Sequence, residues 1–184
     1  MYYVKKWLPA CLMIILFNTT GCQGVTDDLA PSDNDKRPTV VSGSTGSQPT
    51  QSAPGFTAVD TLNNSRTLTN ELALADSVVL YFTMWCPICD SHMAHIRSQL
   101  IPEFPNVRFL VIDYVTGSVA ASRAAQLANG YASFTVLADN DQALHDTFKG
   151  SMGITVVIDG AGIVKMNEYY KDGRKLRETL AALP

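Results

Sequence analysis

Five apolar residues, Val78-Val79-Leu80-Tyr81-Phe82, run almost directly into Trp85-Cys86-Pro87-Ile88-Cys89, and no other feature of the chain constrains its fold as much. A continuous apolar run of this length reads as a strand buried on both faces. Proline suits the first position of a helix, where its missing N–H costs nothing and its fixed φ pre-sets the turn. The chain therefore passes from buried strand to helix within a few residues, with Cys86 at the junction. Helix N-termini carry unpaired N–H groups and a partial positive charge, which stabilise a thiolate, the attacking form of cysteine. Cys86 is thus expected to be the nucleophile and the low-pKa member of the pair. Cys89, one turn further in, is expected to be shielded and placed to attack a mixed disulfide on Cys86 and release the substrate.

Two other uses of a Cys-x-x-Cys pair stay open at this point, a structural bridge and half of a zinc site. Zinc would want two more ligands, usually a second Cys or His pair. No cysteine follows Cys89, and the nearest histidines, His92 and His95, lie on the same helix. Redox chemistry leads, and neither a metal nor a cofactor is assigned.

The first residues speak to the compartment. Lys5 and Lys6 precede an apolar run from Trp7 to Phe17, too short to span a bilayer but suited to the core of a secretory signal. Asn18-Thr19-Thr20-Gly21-Cys22 follows and resembles a bacterial lipoprotein signal, whose cysteine becomes the lipid-bearing first residue. Residues 1–21 are read as the signal peptide and Cys22 as the lipidation site. Thr19 departs from the Leu, Val or Ile usual in that signal, so ordinary cleavage or an uncleaved anchor stays open. Of four cysteines, Cys11 leaves with the signal and Cys22 takes lipid. Only Cys86 and Cys89 remain as a pair, with no stray thiol in an oxidising compartment.

Residues 22–52 are rich in Ser, Thr, Gly, Pro, Asp and Gln and cannot bury enough surface to offset chain entropy. They are read as a flexible tether, whose roughly 30 residues would span about 30 Å as a coil. Gln23 stands where some bacteria place an inner-membrane retention Asp, which points to the outer membrane. A formal charge of −3 argues against nucleic acid as a partner.

From Ala53 to Pro184 strands and helices alternate. Ser77–Thr83, Val107–Tyr114, Phe134–Ala138, Ile154–Asp159 and Ile163–Glu168 read as strands. Cys86–Leu100, Ser118–Ala128, Gln142–Phe148 and Gly173–Leu183 read as helices. The pattern predicts one α/β domain, thioredoxin-like, with a central mixed β-sheet, helices on both faces and an antiparallel hairpin across Gly160-Ala161-Gly162.

Ala53-Pro54-Gly55-Phe56-Thr57, Val78 to Phe82, Trp85-Cys86-Pro87-Ile88-Cys89 and Thr155-Val156-Val157-Ile158-Asp159-Gly160 resemble the TlpA/ResA-like, redoxin-type thiol–disulfide oxidoreductases over nearly all of residues 53 to 184. The resemblance makes the helix at Ser118–Ala128 the insertion that sets this group apart from plain thioredoxin. It also implies a substrate groove along Trp85, Pro87, Met152, Gly153 and Ile154.

Two departures from that family matter. Its members open the strand facing the cysteines with a cis-proline, whereas Ser151-Met152-Gly153-Ile154-Thr155 offers Gly153 or Ile154 there. A cis bond before a non-proline residue costs about 2.5–4 kcal/mol, so a trans peptide and a roomier pocket are expected. On the active-site helix, His92, Met93 and Ala94 stand where the family often has Glu-Met-Pro. The i, i+3 spacing puts His92 on the face of Cys89, where it could exchange the Cys89 proton near neutral pH; the other reading is a solvated surface histidine. Leu80 occupies the place of thioredoxin's buried acid.

The resemblance implies a lipid-anchored, periplasm-facing, monomeric protein-disulfide reductase, recharged by a membrane electron donor and acting on protein thiols or disulfides. Direction of electron flow is not set by the residues. A second class is copper handling through Cys86, Cys89, His92, Met93, His95, Met84 and Met152, since thiolate and thioether favour Cu(I). A third is peroxidase chemistry, because Thr83 precedes Cys86 by three residues, although Val79 stands where a peroxidase proline would be.

Overall fold

The computed structural model describes residues 39–183. The signal peptide, Cys22 and most of the tether lie outside the described residues. Seven strands, β1 (Thr57–Asp60), β2 (Ser65–Thr67), β3 (Ser77–Thr83), β4 (Val107–Asp113), β5 (Thr135–Ala138), β6 (Ile154–Asp159) and β7 (Val164–Tyr169), form one sheet in the order β2-β1-β5-β4-β3-β6-β7. Strand β3 is central, parallel to β4 and antiparallel to β6; β4 and β5 are parallel, and β7 and β1 join antiparallel outside them. This is the mixed sheet of a thioredoxin-like fold.

Every residue of β3 is buried, which is why its sequence is apolar without alternation. Its odd and even positions nevertheless serve two cores, as a period of two requires. Val79 and Tyr81 pack with Met93 and Ile96 of the active-site helix and its extension and with Leu176 and Leu180 of the last helix. Val78, Leu80 and Phe82 pack with Leu68, Leu144 and Phe148 on the opposite face. The helices are α1 (Leu68–Leu72), α2 (Pro87–His95), α3 (Val119–Ala128), α4 (Ala143–Phe148) and α5 (Arg174–Ala181).

Helix α2 continues through a π-turn at Ile96–Leu100 and a last turn at Ile101–Glu103, three residues beyond the expected end. Pro102 lies in that last turn. It has no N–H to give the preceding turn and its ring crowds the carbonyl four residues back, and a wider π-turn relieves that crowding.

The domain starts earlier than Ala53. The Thr50 N–H donates to Val164 O and the Val164 N–H to Gln51 O, each at 2.9 Å, and the Ala53 N–H donates to Gly162 O at 2.8 Å. Asn167 Nδ2 donates to Ser47 O at 2.9 Å, and Ser47 is buried. Residues 43–52 therefore lie against the β7 side of the sheet rather than serving as tether. A sheet edge carries unpaired N–H and C=O groups, and a polar segment can satisfy them through backbone alone. Strands β1 and β2 and helix α1 likewise carry no long apolar run; the turn between β1 and β2 is set by Asp60 Oδ1, which accepts the Leu62 and Asn64 N–H groups at 2.9 Å.

Candidate active site

Strand β3 ends at Thr83, and the chain turns sharply through Trp85, whose φ of 57° is left-handed. Two bonds hold this uncommon conformation. The Trp85 N–H donates to Thr83 Oγ1 at 3.1 Å, and its indole Nε1 donates to Asp113 Oδ2 at 2.8 Å. Asp113 ends β4, directly opposite Thr83 in the register. The two central strands thus fix the turn that presents Cys86.

Cys86 is the N-cap of α2, with extended backbone (φ −89°, ψ 163°), and its Sγ accepts the Cys89 N–H at 3.2 Å. Pro87 follows at the first helical position and is exposed. The two sulfurs lie 2.7 Å apart. Cys86 is partly exposed and Cys89 fully buried, at 0%.

Burial pushes the Cys86 thiol up, and the adjoining Cys89 sulfur adds to this; the N–H groups of Cys89 and Ile88 oppose it without reversing it. Burial also opposes ionisation of Cys89. There, however, the Cys86 S–H, the N–H groups of Met84 and Cys86 and the Thr83 hydroxyl together hold the thiol below its ordinary range. The expectation of a low-pKa Cys86 is therefore corrected. The reduced pair titrates as a unit, its two thiols shifted in opposite directions by burial at Cys86 and by the donors around Cys89.

His92 is buried, 7% exposed, which removes the solvated-surface reading. Its Nδ1 lies 3.0 Å from the Tyr81 hydroxyl, and its ring lies against Tyr170 with centroids 4.6 Å apart. The Tyr81 hydroxyl in turn interacts with Cys89. His92 thus touches the phenol whose titration Cys89 influences. Burial holds the His92 imidazole below its ordinary range, with His95 adding to the effect; burial and Cys89 push the Tyr81 hydroxyl up. One helical turn on, His95 Nδ1 lies 2.6 Å from the Tyr170 hydroxyl.

Across the cysteines, the loop before β6 brings Met152 Sδ to 3.4 Å from Cys86 Sγ. Gly153 follows with φ +78°, its N–H donating to Phe82 O at 3.0 Å and its carbonyl accepting the Tyr170 N–H at 2.9 Å. Among the described residues no peptide bond is cis, as the missing proline implies. Proline, fixed near φ −65° and lacking an N–H, could not replace Gly153 in this backbone.

The structure brings Trp85, Cys86, Cys89 and Met152 together, with Gly153 and Ile154 just beyond. Met93 is fully buried in the core. Tyr81 and Asp113 carry no signal of their own in the sequence, where each reads as an ordinary strand residue. Around the partly exposed Cys86, Met84 and Ile88 are apolar yet 44% and 50% exposed.

Residues 49–167 match the AhpC/TSA family. No curated protein sequence matches the chain. Among solved structures, it is similar to DsbF of Mycobacterium tuberculosis in its mixed oxidised and reduced forms, at 23% identity and a TM-score of 0.57 over 70% of this chain and 95% of that one. It is also similar to a secreted M. tuberculosis disulfide oxidoreductase homologous to E. coli DsbE, at 23% identity and a TM-score of 0.54 over 70% and 96%. Peroxidoxin BcpB of M. tuberculosis is a third, at 22% identity and a TM-score of 0.57 over 72% and 96%. At these identities the likeness carries the thioredoxin-like fold. Among the described residues no helix is long and apolar enough to cross a membrane.

Proposed function

The chain belongs to the AhpC/TSA family, and from that premise we propose that it is a protein thiol–disulfide oxidoreductase acting through Cys86 and Cys89. The observation that carries this reading is the asymmetry of the pair, one sulfur accessible and the other enclosed, in contact at a helix N-terminus. Cys86 loses its proton to solvent and attacks a substrate disulfide as thiolate. A bond forms between Cys86 Sγ and one substrate sulfur, and the substrate S–S bond breaks; the departing sulfur leaves as thiolate and takes a proton from water. Cys89 then gives up its proton and attacks Cys86 Sγ. The Cys86–Cys89 disulfide forms, the second substrate thiol leaves, and two electrons have passed to the substrate.

His92 accepts the Cys89 proton through Tyr81 in this scheme. Trp85, Pro87, Met152, Gly153 and Ile154 form the substrate groove, with Met84 and Ile88 as apolar footing for a protein partner. In the cell the protein acts as a monomeric reductant recharged by a membrane electron donor. It is anchored by lipid at Cys22 on the periplasmic side, at the outer membrane. The peroxidase alternative draws less support, because the Thr83 hydroxyl is engaged by the Trp85 N–H and the buried Cys89.

The test is reduction of insulin disulfides by the full chain with dithiothreitol as electron source. Wild type should accelerate it, Cys86→Ser should abolish the acceleration, and Cys89→Ser should accumulate a mixed disulfide. Full activity in Cys86→Ser would overturn the proposal.

A further inference from the structure

Three sulfur atoms from three separate chain positions meet at the site, with that of Cys89 enclosed behind the other two. Cys86 supplies one from the N-cap of α2, Cys89 a second from its first turn, and Met152 a third from the loop before β6. The Met152 thioether is half-buried and in contact with the nucleophilic sulfur. Of the other soft or imidazole side chains nearby, each is otherwise placed: Met93 is buried in the core, His92 is held by Tyr81, and His95 by Tyr170. Met84 is exposed to solvent. Among the described residues, the donors in contact with the Cys86 sulfur are the Cys89 thiol and the Met152 thioether.

We propose that the reduced pair together with Met152 forms a three-sulfur Cu(I) site. Thiolate and thioether donors select Cu(I), and a three-coordinate, all-sulfur set leaves a hard or octahedral cation without the oxygen ligands it requires. Binding releases two thiol protons and forms three Cu–S bonds, with no change in oxidation state of metal or sulfur. The disulfide form cannot bind in this way, because its sulfurs have no thiolate to offer. Met152 stands one residue before Gly153, whose left-handed backbone and bonds to Phe82 and Tyr170 fix the loop that carries the thioether. The site depends on the presence of the thiols and not on their exchange with a protein partner.

The experiment is anaerobic competition for Cu(I) between bicinchoninate and the reduced full chain, paired with copper X-ray absorption of the bound form. Wild type should take one Cu(I) with three sulfur neighbours, and the disulfide form should take none. Met152→Leu, close in volume and without the donor, should lose at least the roughly tenfold in affinity that even outer-shell changes cost metal sites, and its copper should show two sulfur neighbours. Unchanged affinity in Met152→Leu, or two sulfurs around copper in wild type, would overturn the assignment. The wild-type absorption spectrum decides the matter even if the variant does not fold.

Discussion

The Tyr81 hydroxyl stands 3.0 Å from His92 Nδ1, and the nearby Cys89 helps push that hydroxyl up, so a phenol on the central strand borders both a buried imidazole and the buried thiol. In the proposed exchange, Cys89 must lose a proton before it can resolve the mixed disulfide. His92, held below its ordinary range by burial, is neutral at pH 7 and free to accept. Acid should protonate it and slow the resolving step. Release of glutathione from a Cys86–glutathione mixed disulfide, followed by stopped flow, should therefore show an acid limb below pH about 6.5. His92→Gln and Tyr81→Phe should both remove that limb; superimposable profiles would leave the two residues with packing alone.

The same burial makes a statement about stability. His92 binds its proton less readily in the folded state than in the unfolded chain, so its neutral form contributes stability above the unfolded value near 6.5, and this is lost as pH falls through the lower folded value. The groups packed around it are Tyr81, Tyr169, Tyr170 and His95, none of them a carboxylate that would stabilise the cation. The melting temperature should drop between pH 7 and pH 5, and the drop should be shallower in His92→Gln. Equal slopes would place the acid sensitivity elsewhere.

Accessibility and proton affinity point to different cysteines here, and accessibility should decide alkylation. Cys89 has no exposed surface, whereas Cys86 does. Brief iodoacetamide treatment of the reduced protein near pH 7, read by peptide mass spectrometry, should modify Cys86 first. Dominant labelling of Cys89 would reverse the roles assigned to the pair.

Much of this arrangement was legible in the chain itself. The apolar run of β3 and the proline after Cys86 lead to the strand–helix junction, and alternation of elements leads to the mixed sheet. What was hidden depends on contacts that leave no local pattern. Residues 43–52 join the domain through backbone bonds, which no side-chain periodicity announces. Spacing put His92 on the Cys89 face of α2, but its hydrogen-bond partner there is Tyr81, eleven positions upstream. The downward shift of the Cys89 thiol likewise follows from the Thr83 hydroxyl and the Met84 N–H gathered around it, a consequence of the turn at Trp85 rather than of the Cys-x-x-Cys spacing.

Gly153, in the loop opposite the cysteines, leaves little room for a side chain. Its φ is +78°, and a Cβ there would lie 2.6 Å from the Tyr169 ring. Gly153→Ala should cost about 1–3 kcal/mol, the usual range for a residue forced into a sparsely populated backbone region. Gly153→Pro should cost more, since it also removes the N–H bonded to Phe82 O. Urea unfolding of the three proteins gives the order. A neutral Gly153→Ala would mean that the loop has another conformation within easy reach.

The outer edge of the sheet offers the last test. Strand β7 is flanked by residues 43–53, whose bonds to Val164 and Gly162 are main-chain to main-chain, with Asn167 Nδ2 adding bonds to Ser47 O and Phe148 O at 2.9 Å each. Removing the segment would leave the edge N–H and C=O groups of Val164 to water or to another strand. A chain beginning at residue 53 should therefore melt below one beginning at residue 40 and show a greater tendency to associate. Asn167→Ala in the longer chain should reproduce part of the loss, on the order of 1–3 kcal/mol for two buried carbonyls left without a donor. If the two truncations melt together and both stay monomeric by light scattering, the segment contributes nothing to the domain and the boundary returns to Ala53.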